Sequence, residues 1–221
     1  MNNYDTYIFD FDYTLADSSK GIIYCFNHVL EKHGFNNISE ERIKRTIGMT
    51  LQNSFKVLTG ENDMDKIFAY VKEYVKTADG CMTDNTVLFP ETTEVLETLK
   101  ENGVKLGIVS TKYRYRIKEV LDREFECNLI DVIVGGEDVT THKPSPEGLL
   151  LAIDKLNSNK NRCLYIGDST IDAETAQAAG VDFYGVLNGA TTRDELSKYP
   201  NIMVAKDLNN LLVICNQTVN I

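Results

Sequence analysis

Short apolar segments alternate with amphipathic segments along most of the chain. Runs of Val, Ile, Leu, Phe and Tyr predict six buried strands, at residues 7–9, 106–109, 132–134, 164–166, 183–186 and 202–204. Helical spacing between them predicts helices at residues 92–101, 116–123, 146–156 and 172–179. Strands without polar alternation are typically buried on both faces. The pattern therefore predicts an α/β fold, with a Rossmann-like parallel sheet as its core and helices on both faces of the sheet.

The alternation stops between residues 15 and 86. That stretch predicts helices only, at residues 18–33, 39–47, 50–59 and 63–79. In the first of them, Ile22, Phe26, Val29 and Leu30 fall on one face, as in a helix that packs against a core. We therefore expect an all-helical domain, residues 16–85, inserted after the first strand of an α/β core formed by residues 1–15 and 86–221.

Composition excludes several classes of protein. The net charge is −10, from 23 basic and 33 acidic residues, and such a surface repels nucleic-acid phosphates. No apolar run approaches the ~20 residues of a membrane span, and the first residues do not resemble a signal peptide. The five cysteines contain no C-x-x-C pair, which predicts free buried thiols rather than disulfides or a zinc site. We expect a cytoplasmic protein without nucleic-acid or membrane partners.

An acidic pair follows the first predicted strand, in the segment Asp10-Phe11-Asp12-Tyr13-Thr14. Residues two apart in extended chain face the same side, so the two carboxylates can meet. Ligands of open α/β sheets bind outside the carboxyl ends of the strands. Two carboxylates this close repel each other unless a cation binds or one takes a proton. The pair fits a nucleophile, an acid/base group and a metal site, although a solvated acidic turn has the same pattern.

Three further polar positions follow other predicted strands. Ser110 ends the second strand, where it can donate to a phosphoryl oxygen or cap a helix. Lys143 precedes a Pro-bounded helix start, where a cation binds an anion or lies on a surface loop. Asp168 and Asp172 follow the fourth strand, and Asp172 also fits a capping box with Ser169. Each signal has a structural alternative, but all of them converge on one edge of one sheet.

The order of these residues resembles the haloacid dehalogenase superfamily, whose members are mostly phosphatases. The motifs D-x-D-x-T, S/T, K and G-D-x-x-x-D correspond to Asp10/Asp12/Thr14, Ser110, Lys143 and Gly167/Asp168/Asp172. The resemblance covers nearly the whole chain and identifies the helical insert with that family's cap domain. Several flanking residues are most similar to the phosphoglycolate phosphatase branch: Phe9, Phe11, Leu15, Asp17, Ser18, Pro144, Pro146 and Ser169.

The resemblance implies a role for each position. Asp10 is the nucleophile that forms an aspartyl-phosphate, and Asp12 is the general acid and base. Mg²⁺ is held by Asp10, by the backbone carbonyl of Asp12 and by Asp168, while Asp172 orients Lys143 or a metal-bound water. Ser110 and Lys143 hold the phosphoryl oxygens. Thr14, Thr111 and Arg45 complete the set of substrate-binding residues that we expect.

The expected substrate is a small phosphorylated metabolite, with phosphoglycolate first, and the expected assembly is a monomer or a homodimer. In the cap, Arg42, Lys44 and Arg45 are candidates for specificity, although a basic helix face is often merely solvated. Family members usually carry Gly where this chain has Tyr13, and Tyr does not readily adopt a positive φ. This departure concerns the cap hinge and, through the bulk of the ring, the room for the leaving group beside Asp12, but not the nucleophile.

Several alternatives stay open at this point. A sugar-phosphate mutase, a pyrophosphatase or a nucleotidase of the same superfamily keeps the same core residues, and a non-catalytic phosphate-binding relative keeps the fold. The second aspartate, Asp12, argues against dehalogenase chemistry and against phosphonate cleavage. A signalling receiver domain combines similar groups on a parallel sheet, but it has no helical insert.

Overall fold

The computed structural model describes residues 4–216. Within that range the chain forms the strands β1 (Thr6–Phe9), β2 (Ala16–Asp17), β3 (Val87–Leu88), β4 (Lys105–Val109), β5 (Val132–Val134), β6 (Cys163–Gly167), β7 (Asp182–Val186) and β8 (Met203–Ala205). The helices are α1 (Ser19–Lys32), α2 (Glu40–Lys44), α3 (Leu51–Thr59), α4 (Met64–Asp79), α5 (Thr92–Glu101), α6 (Arg114–Glu124), α7 (Glu147–Lys155), α8 (Thr170–Ala179), α9 (Arg193–Leu196) and α10 (Asn209–Asn216).

Six strands form one parallel sheet in the order β5-β4-β1-β6-β7-β8. All six were predicted from the sequence, each within about one residue of its observed bounds. Strand β1 lies between β4 and β6, with Phe9 opposite both Ile108 and Ile166. The chain leaves β1 toward β4 on one side and returns to β6 on the other. The carboxyl end of β1 is therefore a topological switch point, the place where such sheets bind ligands.

Helices cover both faces of this sheet, as the apolar strands predict. Alternation along β1 sends Tyr7 and Phe9 to one face, where α5, α6 and α10 pack, and Ile8 to the other, where α7 and α8 pack. All three of these β1 side chains are buried. Helix α8 ends at Gly180 with φ of 67°, a left-handed conformation that glycine adopts without steric cost. The predicted α/β sandwich is confirmed.

Helices α1 to α4 form a separate apolar cluster, in which Phe26 packs against Phe55 and Tyr74 with ring centroids 5.0 and 4.8 Å apart. We expected helices only in residues 16–85, and this was wrong for the first two residues, which form the strand β2. Strand β2 pairs antiparallel with β3, so that a short two-stranded ribbon joins insert and core. Two residues are too few to show period-two alternation in the sequence. The short helix α9 and the final helix α10 were not predicted either.

Four of the five cysteines lie where the structure describes side chains, and all four are free thiols. Cys25 and Cys163 are buried as expected, whereas Cys127 is exposed, which corrects the expectation for that residue. Cys215 lies outside the side chains that the structure describes. Among residues 4–216, no helix combines the length and the apolar character needed to cross a bilayer.

Candidate active site

Two carboxylates, those of Asp10 and Asp12, lie at the carboxyl end of β1. Both are buried, with 2% and 7% of their surface exposed. The amide of Asp10 donates to the carbonyl of Ile166 at 2.8 Å, which continues the β1–β6 ladder one residue past the strand. The alternative of a solvated acidic turn does not hold, because neither side chain faces bulk water. Burial raises the pKa of Asp10 to about 7, although Lys143 opposes the shift.

The ammonium group of Lys143 lies between the carboxylates of Asp10 and Asp172. Its Nζ is 2.9 Å from Oδ1 of Asp10 and 2.6 Å from Oδ1 of Asp172, and only 4% of the side chain is exposed. Burial opposes the charge, but Asp10 and Asp172 together raise the pKa of Lys143 well above its usual value. Lys143 is therefore a buried permanent cation next to the predicted nucleophile, not a lysine of a surface loop.

Asp172 combines the two roles considered from its sequence. Its Oδ2 accepts from the amide and the hydroxyl of Ser169 in the capping box that begins α8. Its Oδ1 accepts from Lys143 and from the hydroxyl of Tyr165, the latter at 2.9 Å. Tyr165 lies on β6 and was not predicted as a site residue, because an aromatic residue in an apolar strand indicates only core. Asp172 thus fixes Lys143 through a rigid helix start.

The carboxylate of Asp168 completes an acidic cluster with those of Asp10 and Asp172. One oxygen from each of Asp10, Asp168 and Asp172 lies within 4.8 Å of the others, and all three residues are buried. Burial raises the pKa of Asp168 well above its usual value, and the charges of Asp172 and Asp10 raise it further. Buried carboxylate oxygens without enough positive charge are the donor set that a hard cation such as Mg²⁺ binds. Both oxygens of Asp172 already accept hydrogen bonds, so Asp10 and Asp168 are the better placed ligands.

Lys112 is a charged site residue that the sequence analysis missed. Its Nζ lies 3.1 Å from Oδ1 of Asp12, and 8% of its side chain is exposed. A lysine in the irregular segment after β4 has no periodicity that would predict burial. Ser110 accepts from the amide of Lys112 at 3.3 Å, and Ser110 and Lys143 line one small pocket. Motif order therefore placed Ser110 correctly beside Lys143.

Glycine is required at one further position near Asp168. A Cβ on Gly189 would collide with Oδ2 of Asp168 and lie 3.2 Å from the Cβ of Tyr13. Asn188 beside it has a buried amide nitrogen without a hydrogen-bond partner among the described residues. The Asn188-Gly189 pair follows β7. The argument that ligands bind at the carboxyl ends of parallel strands, applied above to the other strands, could therefore have identified it.

Tyr13 adopts the left-handed conformation, with φ of 60°. The chain therefore keeps a backbone conformation typical of glycine at this position, although a tyrosine occupies it. The amide of Tyr13 donates to the carbonyl of Ala16 at 2.7 Å, and its hydroxyl hydrogen-bonds Ser19 at the start of α1. The ring is buried, which raises the pKa of the phenol to about 12.

The remaining predicted substrate-binding residues lie at different depths. Thr14 is fully buried, and its hydroxyl has no partner among residues 4–216. The hydroxyl of Thr111 donates to the carbonyl of Gly48 at 3.3 Å, which joins core and cap. The guanidinium of Arg45 is exposed and lies 3.1 Å from Glu195 of the core. Arg45 does not line the cavity that opens beside Asp12 and is described below. Its role in substrate binding stays a prediction.

Arg42 and Lys44 lie on α2, and Arg45 directly follows the end of that helix. Arg42 is exposed and donates to the carbonyl of Val57 at 3.4 Å, whereas Lys44 is half-buried. Neither lines the cavity beside Asp12. Their proposed part in specificity stays a prediction as well.

A cavity of about 280 Å³ opens between core and cap beside Asp12. The core contributes Asp12, Lys112 and Arg116 to its wall, and the cap contributes mainly apolar side chains. The cap loop at Gly48 comes close to the start of α8, since a Cβ on Gly48 would lie 3.7 Å from the hydroxyl of Ser169. The cap loop at Gly48 therefore lies over the start of α8, next to the acidic cluster.

Comparison with known proteins agrees with this geometry. A family model described as haloacid dehalogenase-like hydrolase matches residues 7–186. Pyrophosphatase PpaX of Bacillus pumilus is 32% identical, over 95% of each chain. Phosphoglycolate phosphatase of Aquifex aeolicus is 30% identical, over 78% of this chain and 80% of the relative. The crystal structure of a haloacid dehalogenase-like hydrolase from Bacteroides fragilis has 53% identity and a TM-score of 0.93, covering 95% of this chain and all of that one.

Fold, site and relatives together define an enzyme of the phosphatase class, a phosphoric monoester hydrolase. The chain belongs to the haloacid dehalogenase-like hydrolase family.

Proposed function

We propose that this protein is a Mg²⁺-dependent phosphatase that hydrolyses a small-molecule phosphate monoester through an aspartyl-phosphate on Asp10. The observation that carries the proposal is the position of Asp10. It lies at the switch point of the sheet, 2.9 Å from a buried lysine and within ligand distance of Asp168. A buried carboxylate whose charge is only partly balanced by one lysine fits a nucleophile that works beside a bound cation.

The first half-reaction is a transfer to Asp10. A carboxylate oxygen of Asp10 forms a bond to phosphorus while the bond from phosphorus to the ester oxygen breaks. Asp12 gives its proton to the departing oxygen, which leaves as a neutral alcohol. Lys143 and the hydroxyl of Ser110 hold the equatorial oxygens, on which negative charge lies in the transition state.

The second half-reaction restores the enzyme. Asp12, now deprotonated, takes a proton from a water molecule whose oxygen attacks phosphorus. The bond from phosphorus to Asp10 breaks, inorganic phosphate leaves, and both aspartates return to their initial protonation states. We assign Asp172 to positioning Lys143, because both of its oxygens are already hydrogen-bonded. Mg²⁺, held by Asp10 and Asp168 with the backbone carbonyl of Asp12, would neutralise the acidic cluster and orient the phosphate.

A second candidate is inorganic pyrophosphate, because the relative from Bacillus pumilus is named a pyrophosphatase. The same core residues serve either leaving group. A sugar-phosphate mutase also stays possible on core residues alone, and it would need a bisphosphate activator and release little phosphate.

Phosphate release separates these reactions. The full chain should release phosphate from acetyl phosphate and from a panel of phosphate esters when Mg²⁺ is present. EDTA should stop the release, and added Mg²⁺ should restore it. Full activity in EDTA would exclude the metal assignment of Asp10 and Asp168, whereas phosphate release that requires a bisphosphate would favour the mutase.

A further inference from the structure

The cavity beside Asp12 receives the leaving group, because the proton of Asp12 must reach the departing oxygen. What lines this cavity therefore determines which alcohols the enzyme accepts. The following inference rests on the proposed function and concerns the leaving group alone.

The wall that the cap contributes is predominantly apolar. It is formed by side chains of α1, α3 and α4, of the loop between α2 and α3, and of the segment after α4, among them Ile22, Phe26, Met49, Leu51, Val71 and Met82. Apolar walls stabilise apolar groups and offer no compensation for desolvating an anion. Carbon atoms of the leaving group would lie against this wall.

Most of the charge around the cavity is already balanced. Apart from His142, the wall contains two basic residues, Lys112 and Arg116, and two acidic residues, Asp12 and Glu137. Lys112 lies 3.1 Å from Asp12. Arg116 donates to Asp79 at 2.6 Å and to the carbonyl of Val75 at 3.0 Å. Arg116 stays paired with Asp79, whereas Lys112 has an anionic partner only while Asp12 is deprotonated. An anionic leaving group would therefore meet at most one unpaired cation, with the carboxylate of Glu137 in the same wall opposing it.

Uncharged polar groups remain available instead. The side-chain amide of Gln52 lines the cavity and makes no hydrogen bond to another described residue. Nδ1 of His142, which also lines it, is buried without a partner among residues 4–216. These groups suit a hydroxyl, carbonyl or ring nitrogen on the substrate.

The size of the cavity points the same way. A volume of about 280 Å³ equals the liquid volume of roughly nine water molecules, which is more than glycolate or a second phosphate would fill. A single ring with a short substituent would fill it better.

We infer that the substrate is the phosphate ester of an uncharged, ring-bearing alcohol, rather than phosphoglycolate or pyrophosphate. The cap's apolar wall would bind the ring, Asp12 would protonate the alcohol oxygen, and Gln52 or His142 would pair with one neutral polar group.

The experiment compares phosphate esters on the full chain with Mg²⁺. Benzyl phosphate and methyl phosphate have alcohol leaving groups of similar basicity, so their ratio of kcat/KM reports on the cavity. We expect benzyl phosphate to exceed methyl phosphate by at least about 100-fold, since even a single well-packed methylene is worth about 10–200-fold. It should exceed 4-carboxybenzyl phosphate, phosphoglycolate and pyrophosphate by at least about tenfold.

Two valines supply a matched pair of variants. Val71 lines the cavity, whereas Val57 is in the same cap but 55% exposed. Val71→Phe should lower the benzyl-to-methyl ratio at least about tenfold, because the added ring occupies the same space. Val57→Phe should leave that ratio unchanged. Thermal unfolding of both variants, compared with wild type, shows whether the fold is kept.

The outcomes separate the two proposals. Acetyl phosphate needs neither the cavity nor an acid to leave, so its hydrolysis tests phosphoryl transfer alone. If acetyl phosphate is hydrolysed but phosphoglycolate or pyrophosphate matches benzyl phosphate, the inference about the leaving group is overturned and the proposed function stands. If neither acetyl phosphate nor any of the esters is hydrolysed, the proposed function fails and the inference fails with it. An unchanged ratio in a folded Val71→Phe also overturns the inference.

Discussion

At the scale of single residues, the two aspartates after β1 differ in their partners. Asp10 faces Lys143, whereas Asp12 faces Lys112 at the border of the cavity. In the proposed mechanism, Asp10 attacks phosphorus and Asp12 exchanges protons with the leaving alcohol, and this difference in partners fits that division. Hydrophobic pattern alone does not separate them, because both acids follow the same strand two residues apart, and only the family resemblance assigned them different roles.

The proton-transfer role of Asp12 can be tested by substitution. Asp12→Asn should lower kcat/KM for benzyl phosphate by about 10²–10⁴-fold, the usual contribution of a general acid or base. The loss should be much smaller for phosphoryl transfer from acetyl phosphate, whose leaving group needs no proton. Rapid-quench measurements of the first turnover give both numbers. Equal losses for the two substrates would mean that Asp12 is not the acid.

Tyr13 offers a test of backbone strain. A residue other than glycine at φ of 60° costs about 1–2 kcal/mol, while the buried ring contributes about 1.5–3 kcal/mol. Tyr13→Gly removes both, and Tyr13→Ala removes only the ring. Tyr13→Gly should therefore be more stable to urea than Tyr13→Ala by about 1 kcal/mol, and both should be less stable than wild type. If the alanine variant were the more stable of the two, the left-handed turn would not be a source of strain.

At the scale of secondary-structure elements, α6 and α4 hold the cap against the core. Arg116 on α6 is 5% exposed, and its guanidinium reaches the last turn of α4 through Val75 and Asp79. Arg116 and Val75 both line the cavity, so this contact joins the part of its wall that the core forms to the part that the cap forms. It depends on how two distant elements pack, and so the sequence pattern of either helix does not reveal it.

Removing this contact should destabilise the protein. Arg116→Ala loses hydrogen bonds from a buried charged group, which contribute about 1.5–3 kcal/mol to stability. Solvent screening at the half-exposed Asp79 reduces this contribution. We expect a decrease of about 2 kcal/mol in the free energy of unfolding in urea. Lys118→Ala on the same helix is the control, because Lys118 and its partner are both more than 60% exposed, and it should change stability by less than about 0.5 kcal/mol. If the two variants lost similar amounts of unfolding free energy, the contacts of Arg116 would not stabilise the packing of the cap against the core.

At the scale of the whole molecule, the sequence predicted the sheet and the placement of the acidic cluster well. Unbroken apolar strands have few alternative structures, and the carboxyl ends of parallel strands must meet at one edge. That is why Asp10, Lys143, Asp168 and Asp172 could be brought together before the structure was known. The same reasoning extends to Gly189, which also follows a strand.

The leaving-group cavity could not be predicted in this way. Its wall combines side chains from α1, α3, α4 and the segment after β4, and their distances depend on how the cap docks on the core. The periodicity around Val71 predicts an ordinary core residue of a helix, and the sequence around Lys112 predicts an ordinary surface lysine. Hydrophobic pattern gives the face of a helix but not its neighbour across a domain boundary.

The covalent step on Asp10 is the centre of this account, and direct detection of the phosphoenzyme tests it. Asp12→Asn should accumulate the intermediate with acetyl phosphate and Mg²⁺, because the water that releases it loses its base. Acid quench followed by mass spectrometry of the peptides should find one phosphoryl group per chain, on the peptide that contains Asp10, and none in the Asp10→Asn/Asp12→Asn double variant. A phosphoryl group on another residue, or undiminished phosphate release by Asp10→Asn alone, would contradict the account.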